Sequence, residues 1–455
     1  MKFFKKDYIK FVLLGADIVM MICSLFFALI LRRGKLNELI SSEFQYIIIS
    51  FATLFILWFI TLFVLDLYNI FLNKSNKDLM IAIFHFIFIA VGTGSAYFYF
   101  QPLLGIEPRA ILLLTISLFT SYLYLTRIIL IKIFSTYLRE DAVVVGFTST
   151  LISLEKYISN YYKIKAVFTL NRIDEFKFFN TKNGYYQIHD VNQFNSFIRK
   201  NKINIAIIDI DDDALFNNKD LIVRLPLTMH YIRIFDIYEA LFRKVYLPHI
   251  NYIWVIEYIS SKQNTLSSYV KRVLDIVLSI FSCILALPII FIVAPFIKMD
   301  SGPIFYTQKR IGQHGKQFNL YKLRTMQVDS EKNGAQWTQK NDQRVTRIGK
   351  ILRSLYIDEF PQFLNILLGD MSFVGPRPER PEFFEKLNNE VPFYHTRVAV
   401  KPGLTGWAQI RQWAPTTISE TCDKLAYDLY YIKHSSLFFD CTILLKTVRA
   451  IFIKY

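Results

Sequence analysis

Long unbroken apolar runs, broken by short polar stretches, fill the first third of the chain. Four of them, roughly Phe11–Leu31, Phe44–Leu67, Leu79–Phe100 and Ala110–Phe134, each hold about the ~20 residues that carry a helix across a bilayer. Lys2, Lys5, Lys6 and Lys10 precede the first run and Arg32 and Arg33 close it. No small-residue cleavage site follows, so a retained helix is expected rather than a signal peptide. Lys74, Lys77, Lys132 and Arg139 fall on the side of the basic N-terminus; Arg32, Arg33, Lys35 and Arg109 fall on the other. This modest bias places the N-terminus and the bulk of the chain in the cytoplasm. Asp17 and Asp66 stand in or beside these runs. Such groups can mark a transport path; packing or interface contact is the preferred reading.

From about Asp141 to Ser260 the pattern changes. AVVVGF (Ala142–Phe147) and INIAIIDI (Ile203–Ile210) read as buried strands separated by helical runs, hence a small α/β domain with a parallel sheet. After the first strand comes GFTSTL, with one glycine where a dinucleotide site wants GxGxxG, so a spacer, regulatory or oligomerisation role is preferred. Asp211, Asp212 and Asp213 end the second strand, either solvated or gathered on a cation. Then Tyr269-Val270-Lys271-Arg272 leads into the apolar Val273–Ile297, with Pro288 in its middle and Pro295 near its end. A helix bent by proline can enter and leave one leaflet, or it can be a fifth, kinked span. The basic, polar remainder of the chain favours re-entry over residues 270–298.

Composition sharpens this. The chain has 455 residues, 53% hydrophobic and 16% aromatic, with a formal net charge of +16. A mean hydropathy of +0.30 is too apolar for an ordinary soluble protein. No nucleic-acid-binding module is visible, so lipid headgroups and phosphorylated substrates are the expected partners of the excess cations. The cysteines Cys23, Cys283, Cys422 and Cys441 show no CxxC spacing and no disulfide framework.

The chemistry concentrates in LRSLYIDEFPQFLNILLGDMSFVGPRPE (Leu352–Glu379). Asp358 and Glu359 are adjacent, Pro361 follows, and an apolar helical run ends at Gly369, a C-cap candidate. Asp358 reads as the N-cap of that helix. A carboxylate there can attack phosphorus while its neighbour holds a divalent cation; the plain alternative is a capped helix with a solvated acidic pair. SGPIFYTQKRIGQHGKQFNLYKLRTM (Ser301–Met326) alternates like strands and mixes Lys309, Arg310, Lys316, Lys322 and Arg324 with aromatics. KPGLTGWAQI (Lys401–Ile410) is a loop, and the run from Leu437 reads as an amphipathic helix on a membrane surface.

KRxxD at Lys271–Asp275, the GPIFYTQKRIG…YKLRTM block, the Asp-Glu stretch and KPGLTGWAQI occur in one order that resembles the bacterial sugar transferases, the phosphoglycosyl transferases with a monotopic core. The whole chain is similar to their long, polytopic form, the polyprenyl glycosylphosphotransferases of O-antigen, capsule and exopolysaccharide synthesis. The resemblance implies a membrane α/β protein. Four N-terminal transmembrane helices would fill residues 1–138, a Rossmann-like, CoA-binding-like cytoplasmic domain 139–262, and a catalytic domain with a re-entrant helix 263–455. It implies transfer of sugar 1-phosphate from a UDP-sugar to undecaprenyl phosphate, with release of UMP. By motif, Asp358 would be the nucleophile that carries a phosphosugar, and Glu359 would help hold Mg²⁺. Lys271 and Arg272 would meet the lipid phosphate. Arg353 would bind phosphate or steady the dyad, and Lys322 and Arg324 would line the site. Pro376, Arg377 and Pro378 would form the nucleotide-side loop, with Arg397 and Lys401 as further substrate ligands. A bacterial inner-membrane location with the catalytic domain in the cytoplasm, and a homodimer, complete the expectation. The alternative is a non-enzymatic subunit of polysaccharide assembly or export. Residues 329–346 and 412–421 are the expected specificity loops.

Overall fold

The computed structural model describes residues 3–33, 42–65, 67–68, 76–100, 109–137, 140–146, 148–159, 162–169, 186–188, 190–209, 225–259, 266–299, 302–328, 330, 342–412 and 417–452. The chain forms two compact units, Met1–Ile234 and Phe235–Tyr455.

In the first unit the four apolar runs are helices: α1 (Phe3–Arg33), α2 (Ser42–Val64), α3 (Asn76–Phe100) and α4 (Arg109–Tyr137). These four, and Leu266–Lys298 in the second unit, are long and apolar enough to cross a membrane. They are apolar all round, so each buries one face and turns another outward. On α2, Phe51, Leu54 and Trp58 are buried while Ile49, Ile56 and Leu57 are exposed. A buried ion pair crosses the bundle. Arg127 of α4 donates from Nη1 to Oδ1 of Asp17 on α1 at 3.2 Å, from Nη2 to Oδ2, and from Nε to the Leu67 carbonyl at 3.3 Å. Asp17 is thereby taken up in packing; Asp66 lies outside the described residues.

The strands β1 (Glu140–Val145), β2 (Tyr162–Phe168), β3 (Tyr186–Ile188), β4 (Ile205–Ile208) and β5 (His230–Arg233) form one parallel sheet in the order β3-β2-β1-β4-β5. Helices α5 (Ser149–Ile158) and α6 (Val191–Asn201) make crossovers. Ala142 through Val145 and Ile205 through Ile207 are buried, as the continuous apolar runs of a covered parallel sheet require. At the start of α5, Thr148 donates from its N–H (3.0 Å) and its hydroxyl (2.5 Å) to Oδ2 of Asp209, beyond β4. The helix start that a phosphate would seek is thus matched with a carboxylate. Asp211, Asp212 and Asp213 lie outside the described residues.

In the second unit α7 (Ile234–Phe242) and α8 (Tyr252–Tyr258) lead to α9 (Leu266–Lys298). There follow a hairpin of β6 (Phe305–Ile311) and β7 (Gln317–Leu323), α10 (Arg347–Ser354), α11 (Gln362–Leu368), β8 (Ser372–Val374), α12 (Pro381–Glu390), β9 (Gly403–Thr405), α13 (Trp407–Arg411), α14 (Ile418–His434) and α15 (Leu437–Phe452). Strands β8 and β9 pair in parallel. Val245, Ile250, Trp254 and Ile259 share one core with Trp407, Leu425, Leu429, Tyr431, Ile432 and Ile443. Main-chain and charged contacts fix the same segment: Val245 N–H to Ala426 O at 3.0 Å, and Lys433 Nζ to Glu239 at 2.9 Å. Helix α15, expected on a membrane surface, packs a face inward here, with Ile443 fully buried and Asp440 and Lys446 nearly so.

Helix α9 runs 33 residues through Pro288 and Pro295 and buries only Asp275, Ser279, Ala286 and Ile297. Both of its ends are tied to the same unit. At the first, Lys271 Nζ donates to Val374 O (2.8 Å), Tyr431 OH (2.7 Å) and Asp440 Oδ2 (2.8 Å). Arg272 donates to the carbonyls of Ile366 (2.6 Å) and Leu367 (2.8 Å), and Asp275 accepts from Phe373 N–H at 3.1 Å. At the last turn Arg324 donates to Ile297 O (2.7 Å) and Pro303 O (2.8 Å), while Ile297 packs on Leu323 and Leu352.

Because Trp254 fills the core that also holds Trp407, Leu425 and Leu429, Trp254→Ala is expected to cost the second unit about 3–5 kcal/mol, the range for emptying a large core site. Denaturant unfolding of the full chain checks this; a loss below about 1 kcal/mol would show that the α7–α8 segment is loosely held.

Candidate active site

The hairpin and α10 set the stage for the acidic pair. Thr346 caps α10, its hydroxyl accepting from Gly349 N–H at 2.9 Å. A Cβ at Gly349 would meet the Thr325 carbonyl at 2.1 Å, so only glycine lets α10 approach β7's continuation this closely. The approach lets Arg353 Nε donate to Thr325 Oγ1 at 2.9 Å. Tyr356, at φ 57°, then reverses the chain after α10.

Here the expected N-cap gives way to a different turn. Ile357–Glu359 is a 3₁₀ turn, and α11 begins beyond Pro361 with no side-chain cap. Asp358 therefore lies inside the turn instead of capping the helix, because only four residues, 357–360, separate the left-handed Tyr356 from Pro361. Gly369, at φ 97°, ends α11 as expected. Asn365 fixes α11 against β7: its Oδ1 accepts from Tyr321 N–H at 3.0 Å and its Nδ2 donates to Asn319 O at 2.7 Å. Lys322 is the next residue, so this docking sets its distance to the acidic pair.

Glu359 receives two cations on one oxygen. Lys322 Nζ lies 3.1 Å and Arg377 Nη2 2.9 Å from Oε1. Burial by itself would push this carboxyl up, but Lys322 and Arg377 hold it well below the usual carboxylate range. Asp358 is treated oppositely. It is 7% exposed, and among the described residues no group donates a hydrogen bond to its carboxylate. Burial pushes its pKa up, and neighbouring Glu359 adds to this, against the pull of Lys322, Arg353 and Arg377. Burial also lowers Lys322, with Glu359 opposing, whereas Glu359 raises Arg377. Two adjacent acids thus carry separate states: one locked in ion pairs, one with its oxygens open to react.

The structure gathers Asp358, Glu359, Lys322, Arg353 and Arg377, with Pro376 and Pro378 flanking Arg377. The other named cations stand elsewhere. Arg324 is spent on the carbonyls at the end of α9. Lys271 and Arg272 lie at the opposite end of α11 from the dyad, Arg272 on its last carbonyls. Lys401 joins them: a Cβ on Gly369 would meet Arg272 Nη2 at 3.2 Å and Lys401 Nζ at 3.6 Å. Arg397 is buried behind the loop, donating to Asp428 (2.8 Å), Glu379 (3.3 Å), Tyr394 OH (2.9 Å) and the Arg377 carbonyl (3.0 Å). Nothing in the spacing of the chain singles out Asn365 or Thr325, whose partners lie far away in sequence. The expected specificity loops fall mostly outside the described residues.

No cluster of three His, Cys, Asp or Glu side chains stands ready for a metal among the described residues. Asp358 and Glu359 alone supply oxygen donors here, and both bonds from Lys322 and Arg377 go to Oε1, not Oε2. One or two carboxylates completed by water and phosphate oxygens is the donor set Mg²⁺ takes, so these residues fit it.

A family profile described as bacterial sugar transferase matches residues 266–454. A putative undecaprenyl-phosphate N-acetylgalactosaminyl 1-phosphate transferase of Bacillus subtilis (strain 168) is 52% identical over 130 residues, 28% of this chain and 73% of that protein. A UDP-glucose:undecaprenyl-phosphate glucose-1-phosphate transferase of Caulobacter vibrioides is 40% identical over 184 residues, 40% of this chain and 69% of that protein. The chain belongs to the bacterial sugar transferase family. The dyad, the hairpin and the Pro376–Pro378 loop all lie inside the region matched to this bacterial sugar transferase profile. A further relative, the UDP-N-acetylgalactosamine-undecaprenyl-phosphate N-acetylgalactosaminephosphotransferase of Aeromonas hydrophila, is 43% identical over 185 residues, 40% of this chain. The match spans less than half, 44%, of that relative's length.

Behind the dyad, Lys424 (2.6 Å) and Arg397 (3.3 Å) hold Glu379, and although burial opposes them its pKa falls from 4.5 to about 2. A carboxyl lowered on folding stabilises fully above its unfolded pKa and loses that contribution as pH falls toward the folded value. Unfolding midpoints of the full chain are therefore expected to drop between pH 5 and pH 2, with this group contributing on the order of 3 kcal/mol. Glu379→Gln should flatten that stretch; an unchanged acid slope would remove Glu379 as its source.

Proposed function

We propose that this chain transfers a sugar 1-phosphate from a UDP-sugar to undecaprenyl phosphate, giving undecaprenyl-diphosphate-sugar and UMP. The observation that carries this is Asp358: buried, given no hydrogen bond by any of the described residues, and set among Lys322, Arg353 and Arg377 beside an ion-paired Glu359. The names of the relatives support the reaction class.

In the first step an Asp358 oxygen attacks the phosphorus next to the sugar, and the bond to the UMP oxygen breaks. The phosphosugar is then held on Asp358. In the second step an oxygen of undecaprenyl phosphate attacks the same phosphorus, and the bond to Asp358 breaks, returning the free carboxylate. Lys322 and Arg377 fix Glu359 and place positive charge where the phosphoryl oxygens gather. Arg353 adds a third cation on the Thr325 side. Glu359 would help hold Mg²⁺, which when bound would neutralise charge on the diphosphate.

The two-ended tether of α9 supports a re-entrant course, since a helix whose two ends bind one unit returns its chain to the side it left. The cytoplasmic placement follows from the basic residues flanking the apolar helices. In the same reading, the β1–β5 sheet belongs to a Rossmann-like spacer, the catalytic domain takes in α7 and α8 ahead of the expected start at 263, and two copies pair as a homodimer.

Purified protein with Mg²⁺, undecaprenyl phosphate and a panel including UDP-N-acetylgalactosamine and UDP-glucose should release UMP from one donor, dependent on the lipid. Asp358→Asn should lower that release by on the order of 10⁴-fold. UDP in place of UMP would mean direct glycosyl transfer and remove the aspartyl intermediate. Polymer synthesis unaffected by Asp358→Asn would point to a non-enzymatic subunit. Since burial raises Asp358, the acid limb of the rate should lie above the ordinary aspartate value of 3.8; a limb at or below it would mean that another group limits the rate.

A further inference from the structure

The loop that carries Arg377 has every carbonyl from Pro376 to Glu379 taken by a hydrogen bond. Gly403 N–H donates to Pro376 O at 2.9 Å and Ile311 N–H to Glu379 O at 2.9 Å. Between them two arginine side chains do the same. Arg397 Nη2 donates to Arg377 O at 3.0 Å and Arg310 Nη1 to Pro378 O at 3.0 Å. Two prolines already fix the backbone on either side of Arg377. With its main chain bonded at each step, this stretch holds Arg377 so that its guanidinium reaches Glu359 at 2.9 Å.

We infer that Arg310 and Arg397 are positioning residues, a clamp that sets Arg377 on Glu359 without touching substrate. Arg397 is 3% exposed and its guanidinium is committed to Asp428, Glu379, Tyr394 and the Arg377 carbonyl. Arg310 divides its two terminal nitrogens between Pro378 O and Gln308 Oε1, the latter at 2.6 Å. Burial and the nearby Arg377 lower Arg310 to about 10, which still leaves it charged at neutral pH. The two residues come from opposite sides, Arg310 from β6 and Arg397 from the turn after α12. Lysine at either place keeps the charge but cannot serve two acceptors with a planar fork. A cation acting on substrate directly would tolerate that change better than one acting through geometry.

This inference rests on the proposed transfer, so its test has two readouts. The first needs no turnover. In the full chain, hydrogen exchange at the amides of Ile311 and Gly403 reports the clamp, because both donate to the same loop. Arg310→Gln should speed their exchange roughly tenfold, and Arg310→Lys should speed it less. Unchanged exchange in Arg310→Gln would overturn the clamp, whatever the enzyme does.

The second readout uses the donor that the wild type turns over. Arg310→Gln and Arg397→Lys should each lower kcat roughly 10–100-fold while KM for the lipid changes less than about twofold. Placed on Arg377→Lys, each should cost no more than about twofold further, since its route to the dyad is already broken. Equal losses in both backgrounds, or a raised KM for the UDP-sugar at unchanged kcat, would mean direct substrate contact and sink the positioning role. Absence of any nucleotide release by the wild type would fail the proposed function and leave the exchange result to decide the clamp. If Arg397→Lys does not fold, Arg310→Gln, at a less buried site, decides alone.

Discussion

One carboxylate oxygen, Oε1 of Glu359, joins three parts of the transferase unit that are remote in sequence. Lys322 reaches it from the hairpin and Arg377 from the loop after β8, while Glu359 itself stands in the turn after α10. Removing either cation leaves a buried charge with half its compensation, a loss of the kind that costs several kcal/mol when complete. The packing around the pair has little freedom to adjust. Gly349 permits α10 to touch the Thr325 carbonyl, and Asn365 binds two backbone groups of β7. Those contacts hold the hairpin and the turn at the spacing the ion pairs need.

The second constraint is α9. An apolar helix that buries only Asp275, Ser279, Ala286 and Ile297 would, on its own, be free to turn relative to the rest. Cations and carbonyls stop this at each end: Lys271 and Arg272 at the first turns, Arg324 at the last. Arg272 ends on the final carbonyls of α11, and Ile297 packs beside Leu352 of α10. The helix is thus fastened at one end to α11 and at the other beside α10, the two helices that flank the dyad.

Much of this was legible in the residues and some was not. Apolar runs longer than any globular helix needs announce α1 through α4, and the strands β1 and β4 follow from Ala142–Val145 and Ile205–Ile208. Alternation in Phe305–Leu323 announces the hairpin, and Gly369 the end of α11. The uses of individual cations were hidden. Lys271, Arg272, Arg324 and Arg397 look like phosphate ligands by charge and motif, yet each is engaged by carbonyls or acids that lie 18 or more residues away, apart from the local Tyr394 contact of Arg397. Charge is a property of one residue; engagement depends on long-range packing that no local pattern encodes. The α7–α8 segment was hidden for the same reason, since Trp254 finds its core partners in α13 and α14.

The turn at the dyad shows why one such difference matters for chemistry. As an N-cap, Asp358 would accept backbone N–H bonds, which lower a carboxyl's pKa and occupy the oxygens that the proposed reaction uses. A 3₁₀ turn has about three residues per turn, so neighbouring side chains diverge by roughly 120°. Glu359 then takes the bonds from Lys322 and Arg377, while Asp358 lies within their electrostatic reach and takes neither. Tyr356, forced to φ 57°, and Pro361, which has no N–H to offer, confine the pair to this turn. This turn keeps Glu359 in ion pairs and leaves Asp358 without a donor among the described residues, and that difference is what the proposed nucleophile beside a charge-holding neighbour requires.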